Sequence, residues 1–82
     1  MTHNIKIMDC YFDDVEKGIK TFEIRKNDRN YNVGDIVILR ECFLYEGHLI
    51  ETGRYVSKHI TYILKDIPQY GLDINYIIFA MK

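Results

Sequence analysis

The sequence lacks the residue patterns that mark disulfide-bonded, metal-binding and membrane-spanning proteins. It has no tryptophan, one proline and two cysteines among 82 residues. Cys10 and Cys42 lie far apart and form no Cys-x-x-Cys pair, so the sequence leaves a disulfide open but favours two reduced thiols. The three histidines are scattered singly, without the spacing of metal ligands. We therefore expect neither a metal site nor a cofactor.

Two further absences concern membranes and long nucleic acids. The chain has no run of about twenty apolar residues, the length of a membrane-spanning helix, and its N-terminus has no apolar leader segment. We therefore expect a cytoplasmic protein without membrane contact. Eleven basic residues face twelve acidic ones, which gives a formal net charge of −1. Because no global positive field attracts a phosphate backbone, tight binding to a long duplex is disfavoured.

What the sequence does contain is a hydrophobic share of 48%, which is enough for one small domain over residues 1–82. Alternating or continuous apolar stretches predict strands, and one amphipathic stretch that ends at a glycine predicts a short helix. The predicted strands cover residues 4–8, the stretch after Gly18, and residues 36–45, 55–64 and 76–81; the helix covers 11–17, a loop covers 52–54, and a single helical turn lies within 65–75.

The connections between these stretches predict the fold class. Turns rather than helices separate most of the strands, which favours antiparallel pairing. A short chain with this many strands hides their edges best by curling into a barrel. We therefore predict an α+β fold: a mostly antiparallel β-barrel of five or six strands, with one short helix before the second strand.

One strand-like stretch, residues 18–29, concentrates charges of both signs. Phe22 and Ile24 fall on one side of a pleated strand, and Glu23 and Arg25 fall on the other, because side chains alternate with a period of two. A guanidinium offers a fork of donors and a carboxylate only acceptors, so such a set suits a planar polar ligand. A surface strand with cross-strand ion pairs, each worth about 0.2–1 kcal/mol, has the same pattern. The spacing alone leaves both interpretations open.

The motif Gly18-x-Lys20-x-x-Glu23-x-Arg25 resembles the signature of the ASCH domain, a family of the PUA-like β-barrel superfamily. A short predicted helix before the glycine and a Val33-Gly34-Asp35 turn before the next strand agree with that family. Residues 20–29, together with His3, Ile5-Lys6 and Gly53-Arg54, are similar to a subgroup of small, uncharacterised bacterial and phage ASCH-like proteins. The resemblance covers nearly the whole chain and implies a PUA-like barrel.

The resemblance also implies an RNA- or nucleotide-binding module with a charged pocket beside the early helix. Arg25 would bind a phosphate or a base carbonyl, Glu23 would accept from an exocyclic amine, and Lys20 would add a mobile charge. The expected partner is a base of a short single-stranded RNA segment or a nucleotide-like small molecule. The expected binding residues are Lys20, Glu23, Arg25, Asn27, Asp28, Arg29 and Arg54, with Tyr11, Tyr31, Tyr55 and Tyr76 as candidates for base stacking.

Catalysis is the alternative that the same resemblance implies. Some small ASCH proteins are amidohydrolases that deacylate modified cytidine nucleosides, and in them the motif lysine activates a threonine three residues later. Here that later position is Glu23, and the threonine is Thr21, next to Lys20. If the protein is an enzyme, we expect Lys20, Thr21 and Glu23 at its site, with Glu23 as general base to a water and Lys20 stabilising the oxyanion. A third interpretation is an adaptor that binds a protein through a strand edge and does not need these residues.

Overall fold

Five β-strands, one α-helix and a single 3-10 turn build the chain, and the computed structural model describes residues 1–82. The predicted short helix before the second strand and the helical turn before the last strand are both confirmed. None of the helical segments has the length and apolarity that a membrane crossing needs. In chain order, the elements are β1 (Thr2–Met8), α1 (Asp9–Glu16), β2 (Phe22–Lys26), β3 (Ile36–Tyr45), β4 (His48–Leu64), the 3-10 turn (Pro68–Tyr70) and β5 (Tyr76–Met81).

The strands form one mixed sheet in the order β1-β3-β4-β5-β2. Three of the four neighbouring pairs are antiparallel, as predicted, whereas β1 and β3 run parallel. The predicted closure into a barrel is wrong, because the edge strands β1 and β2 are not paired with each other. Instead, the side chain of Arg25 on β2 donates to the backbone carbonyl of Lys6 on β1. Charged side chains thus occupy the gap in which a closing ladder would form.

β4 is the long strand that joins the two halves of the sheet. Its residues 48–59 pair with β3, and the remainder pairs with β5. The predicted loop at residues 52–54 is wrong, because β4 continues through it as a bulge. The register against β3 shifts between Arg40 and Cys42, and Gly53 adopts a φ of 93°. Glycine takes this left-handed conformation at little steric cost, so the strand bends there without ending.

The core lies between the sheet and α1, which packs on β1 and β3. Phe12 and Val15 lie on the same face of this helix and are fully buried. Gly18, with a φ of 75°, follows the helix and lets the chain turn towards β2, as predicted. This packing brings Tyr11 of α1 to the open edge between β1 and β2. The other core residues are Ile5, Ile7, Tyr31, Val37, Leu39, Ile60, Ile77, Phe79 and Met81.

Candidate functional site

β2 turns its charged side inward and its apolar side outward. The predicted alternation is confirmed, but Glu23 is only 5% exposed, while Phe22 and Ile24 are 52% and 56% exposed. An ionised carboxylate at this depth requires hydrogen bonds and a counter-charge. Lys20 and Arg25 of the same motif supply both.

Both oxygens of the Glu23 carboxylate are engaged by these two basic residues. The Lys20 ammonium donates to Oε1, and it also donates to the Phe22 carbonyl at 3.0 Å. The Arg25 Nε donates to Oε2 at 2.9 Å, and its Nη2 donates to the Lys6 carbonyl at 2.5 Å. The structure therefore brings Lys20, Glu23 and Arg25 together, and Arg25 links β2 to β1 across the open edge of the sheet.

These three side chains line a groove between β1, β2 and α1, which we call the motif groove. Its volume is about 480 Å³. The Lys20 ammonium lies 5.2 Å from the ring centre of Tyr11 and 5.1 Å from that of Phe22, so two half-exposed rings flank it. Aromatic faces next to charged donors and acceptors suit a flat polar ligand. The lining residues are Lys6, Ile7, Met8, Tyr11, Lys20, Phe22, Glu23, Ile24 and Arg25.

A second cavity, which we call the basic pocket, adjoins the motif groove and shares Lys6 and Arg25 with it. Its volume is about 360 Å³. Asp28 and Arg29, which were predicted to contact the ligand, line this pocket and not the motif groove. The complete lining is Asn4, Ile5, Lys6, Arg25, Lys26, Asp28, Arg29, Tyr31 and Arg40.

Arg54, another predicted binding residue, lies in a separate cluster around the buried Glu41. Its guanidinium donates to the two Glu41 oxygens at 2.9 and 2.7 Å and to Asp13 at 3.2 Å, and it lies 4.6 Å from the ring centre of Phe12. Thr52 donates to Glu41 at 2.7 Å. The hydrogen bonds from Arg54 and then from Thr52 hold the pKa of Glu41 below its ordinary value, and the Glu41 contact raises the pKa of Arg54. The structure thus separates Arg54 from the motif residues.

Thr21 and Asn27 also lie outside the motif groove. Thr21 lines a third cavity, of about 500 Å³, which contacts the other side of the motif at Lys20. Asn27 lines none of the three cavities, and its backbone N–H donates to the Asn75 carbonyl at 2.7 Å. Of the four tyrosines considered for stacking, Tyr11 lines the motif groove, Tyr31 lines the basic pocket, and Tyr55 and Tyr76 line neither.

Sequence reasoning did not identify several of the residues that line the two cavities, among them Phe22, Lys6 and Arg40. Phe22 has the character of a core residue, so its position in the motif gave no reason to expect it at a groove. Lys6 occupies an ordinary polar position of an alternating strand. Arg40 interrupts the apolar run of β3, and a charge inside such a run is the signal that could have identified it.

A third buried carboxylate, Asp35, lies immediately before β3 and lines no cavity. The Oδ2 atom of Asp35 lies 2.8 Å from His3 Nε2 and accepts from the Asn32 N–H at 3.0 Å. The ammonium of Met1 donates to Oδ1 at 3.1 Å. The hydrogen bond with His3, supported by the other two donors, lowers the pKa of Asp35 from 3.8 to about 2. No group of three or more His, Cys, Asp or Glu side chains is arranged to hold a metal ion, and both cysteines are free.

Comparison with known proteins gives a family but no activity. A family model described as a domain of unknown function, DUF3850, matches residues 2–81. An Escherichia phage P2 protein, named as an uncharacterized 12.9 kDa protein in the GpA 3' region, is 46% identical over 59 residues. Those residues make up 72% of this chain and 50% of the phage protein, so the chain spans about half the length of this curated relative.

Proposed function

The chain belongs to the DUF3850 family of domains of unknown function, and we propose that it binds RNA or a nucleotide by holding one base in the motif groove. The resemblance of residues 18–25 to the ASCH signature suggests this ligand class, and we propose a relationship to the ASCH and PUA-like proteins on the same ground. Because a fold does not fix a function, the support has to come from the contacts in the groove.

The buried carboxylate of Glu23 is the observation that carries the proposal. An ionised carboxylate has about four lone-pair sites, and the contacts with Lys20 and Arg25 use one on each oxygen. The remaining sites can accept from the exocyclic amine of a base. Arg25 uses two of its N–H groups on Glu23 and Lys6 and keeps others for a base carbonyl. Acceptor and donor side by side match the edge of a base.

Tyr11 and Phe22 add apolar faces to this polar pair. These two residues are 50% and 52% exposed, so a base that covers their rings removes apolar surface from water. Stacking on an aromatic side chain is worth about 1–3 kcal/mol per base. The formal net charge of −1 suits recognition of one or a few bases better than the tracking of a long backbone.

Deacylation of a modified cytidine is the second candidate. The contact between Lys20 and Glu23 places a carboxylate that can act as a general base next to a cation in the same groove. Thr21 gives this candidate no support, since it lines a different cavity. A reaction in the motif groove would therefore use water as the nucleophile, with Glu23 as general base and Lys20 stabilising the oxyanion. Binding needs only the contacts described above, and we favour it.

An NMR titration of ¹⁵N-labelled protein with a mixed-sequence single-stranded RNA tetranucleotide tests the proposal. We expect saturable shifts of the backbone amides of residues 20–25 and of Tyr11, while the amide of Arg54 does not move. The same titration with acetylated cytidine, followed over time, distinguishes binding from deacylation. If neither ligand shifts the groove amides at about millimolar concentration, which corresponds to a binding free energy of only about −4 kcal/mol, the proposal is wrong.

A further inference from the structure

The basic pocket carries positive charge that no side chain of the protein neutralises. Five basic residues line it against one acidic residue, Asp28. Arg25 and Arg40 are paired with Glu23 and Glu51. The residues that form no ion pair are Lys6, Lys26 and Arg29. Cations gathered in a concave site favour the binding of an anion.

The pairing of β1 with β3 adds to this charge. Lys6 and Arg40 are direct register partners on these parallel strands. Like charges at opposed positions destabilise a sheet, and Glu51 compensates only one of the two. An anion between Lys6 and Arg40 would offset the repulsion.

Two donors in the lining of the basic pocket lack a partner within the protein. Tyr31 is 4% exposed, its ring lies 4.7 Å from that of His3 and 5.2 Å from that of Phe79, and its hydroxyl makes no hydrogen bond. Burial raises the pKa of Tyr31 and the nearby charge of Arg29 opposes this, so the hydroxyl stays protonated and able to donate. The Nε of Arg40 is buried and has no partner. Buried donors are rarely left unpaired, so this atom indicates a ligand that accepts hydrogen bonds, and the Tyr31 hydroxyl is free to donate to the same ligand.

The motif groove and the basic pocket meet at Arg25 and Lys6, which line both. We propose that the basic pocket binds a phosphate group of the nucleotide whose base occupies the motif groove. The ligand is then a phosphorylated nucleoside and not a free nucleoside, an inference that rests on the proposed function for its base. The Nε of Arg40 and the Tyr31 hydroxyl donate to the phosphate oxygens together with Arg29 and Lys26, and the cationic donors form the strong charge-assisted bonds that phosphates accept.

Two kinds of ligand carry a phosphate group next to a base. One is the monoester of a free nucleotide, which carries about −1.5 to −2 charges at neutral pH, and the other is the phosphodiester of a short RNA strand. Both place a base next to an anionic phosphate, so the same two cavities receive either one.

A set of matched NMR titrations on the labelled full chain separates the base from the phosphate. The probes are the four ribonucleosides, their 5'-monophosphates, a mixed ribodinucleotide and inorganic pyrophosphate. We expect a monophosphate to bind about 10-fold or more tightly than its nucleoside, and pyrophosphate alone to shift the amides of residues 25–31. A dinucleotide that binds more tightly than the monophosphates identifies RNA as the source, and the reverse order identifies a free nucleotide.

Two variants test the pocket without disturbing the groove. Tyr31→Phe keeps the ring that packs on His3 and Phe79 and removes only the hydroxyl, and Arg29→Gln removes a cation from an exposed position. Each should weaken monophosphate binding by about 5- to 10-fold and leave nucleoside binding unchanged. Lys65→Gln, which removes the same charge from an exposed residue outside all three cavities, should change neither.

The outcomes separate failure of the phosphate site from failure of the base site. Equal affinity for nucleosides and monophosphates overturns the phosphate site and leaves base binding intact. The same conclusion follows if Tyr31→Phe and Arg29→Gln behave like Lys65→Gln. Pyrophosphate binding without binding of any base-containing probe overturns the proposed function and leaves an anion pocket alone. If no probe binds, both proposals are wrong.

Discussion

Glu23 and Glu41 are two buried carboxylates with the same depth and different surroundings. They are 5% and 4% exposed, and an arginine donates to each of them. Around Glu41, the side chains of Arg54 and Thr52 donate to both carboxylate oxygens, and the glutamate lines no cavity. Around Glu23, the basic partners leave one side open to the motif groove, next to the ring of Phe22.

The difference shows that burial and charge pairing alone do not identify a binding site. Both glutamates lose their hydrogen bonds to water on burial, and donors within the protein replace these bonds. The Glu41 cluster uses its donors to hold β3, β4 and α1 together, since Arg54 also reaches Asp13. The Glu23 cluster bridges only the open edge between β1 and β2, through Arg25 and Lys6. Accessible space with aromatic walls is therefore what distinguishes the candidate site from the structural cluster.

Exchange of each glutamate for glutamine has the largest expected effects and tests this contrast directly. In Glu23→Gln, the base loses a charged acceptor, and we expect binding in the NMR titration to weaken about 10- to 100-fold. In Glu41→Gln, binding should stay within about 2-fold of the original protein, because Glu41 lies outside both cavities. The melting temperature of Glu41→Gln should instead fall by about 4–8 °C in circular dichroism, because Arg54 loses its charged partner.

Two results would break the comparison. Equal losses of binding in both variants would mean that the glutamates act only through the fold. Full binding by Glu23→Gln, with an amide spectrum close to that of the original protein, would show that base recognition does not need the carboxylate. It would favour an adaptor that binds a protein through a strand edge.

A smaller effect is expected from the aromatic wall of the groove. Phe22→Leu keeps an apolar side chain at a half-exposed position but removes the flat face, so binding should weaken about 5- to 10-fold while the melting temperature stays unchanged. Tyr70→Leu is the matched control, because Tyr70 is 80% exposed and lines no cavity. Equal affinities of the two variants would argue against stacking on Phe22.

The alternation of β2 could be predicted from the sequence, but the side that it buries could not. A period of two places Glu23 and Arg25 together whichever way the strand faces. The side that turns inward depends on β1, whose Lys6 carbonyl accepts from Arg25 although β1 lies at the opposite end of the strand order from β2. A local pattern contains no information about such partners.

The same limit applies to the bulge and to the basic pocket. Residues 52–54 have the composition of a loop, and only pairing with β3 makes them part of a strand of 17 residues. Lys6 and Arg40 meet because β1 and β3 are parallel neighbours, whereas the sequence predicted mostly antiparallel pairing and did not say which strands are neighbours. The motif could therefore be located from the sequence, but the pocket beside it could not.

Asp35, the third buried carboxylate, can be compared with Glu23 and Glu41, and we expect its substitution to have a smaller effect on stability. Like Glu41, it lines no cavity and is held by donors, among them His3 and the Asn32 N–H. The hydrogen bond with His3 lowers its pKa from 3.8 to about 2. The folded protein therefore takes up this proton at a lower pH than the unfolded chain does. Asp35 thus stabilises the fold fully above about pH 4–5, and this contribution is lost as the pH falls through about 2.

Asp35→Asn tests this assignment, because it keeps the size of the side chain and removes the titrating group. At about pH 6 we expect the variant to melt a few degrees below the original protein and to bind ligand equally well, since Asp35 lies outside the motif groove. The gap in melting temperature should then shrink as the pH is lowered towards about 2, where the original carboxylate becomes protonated. Melting followed by circular dichroism across this range measures the gap. A gap that stays constant would show that Asp35 does not contribute through its charge, and weakened binding at about pH 6 would place it with Glu23 rather than with Glu41.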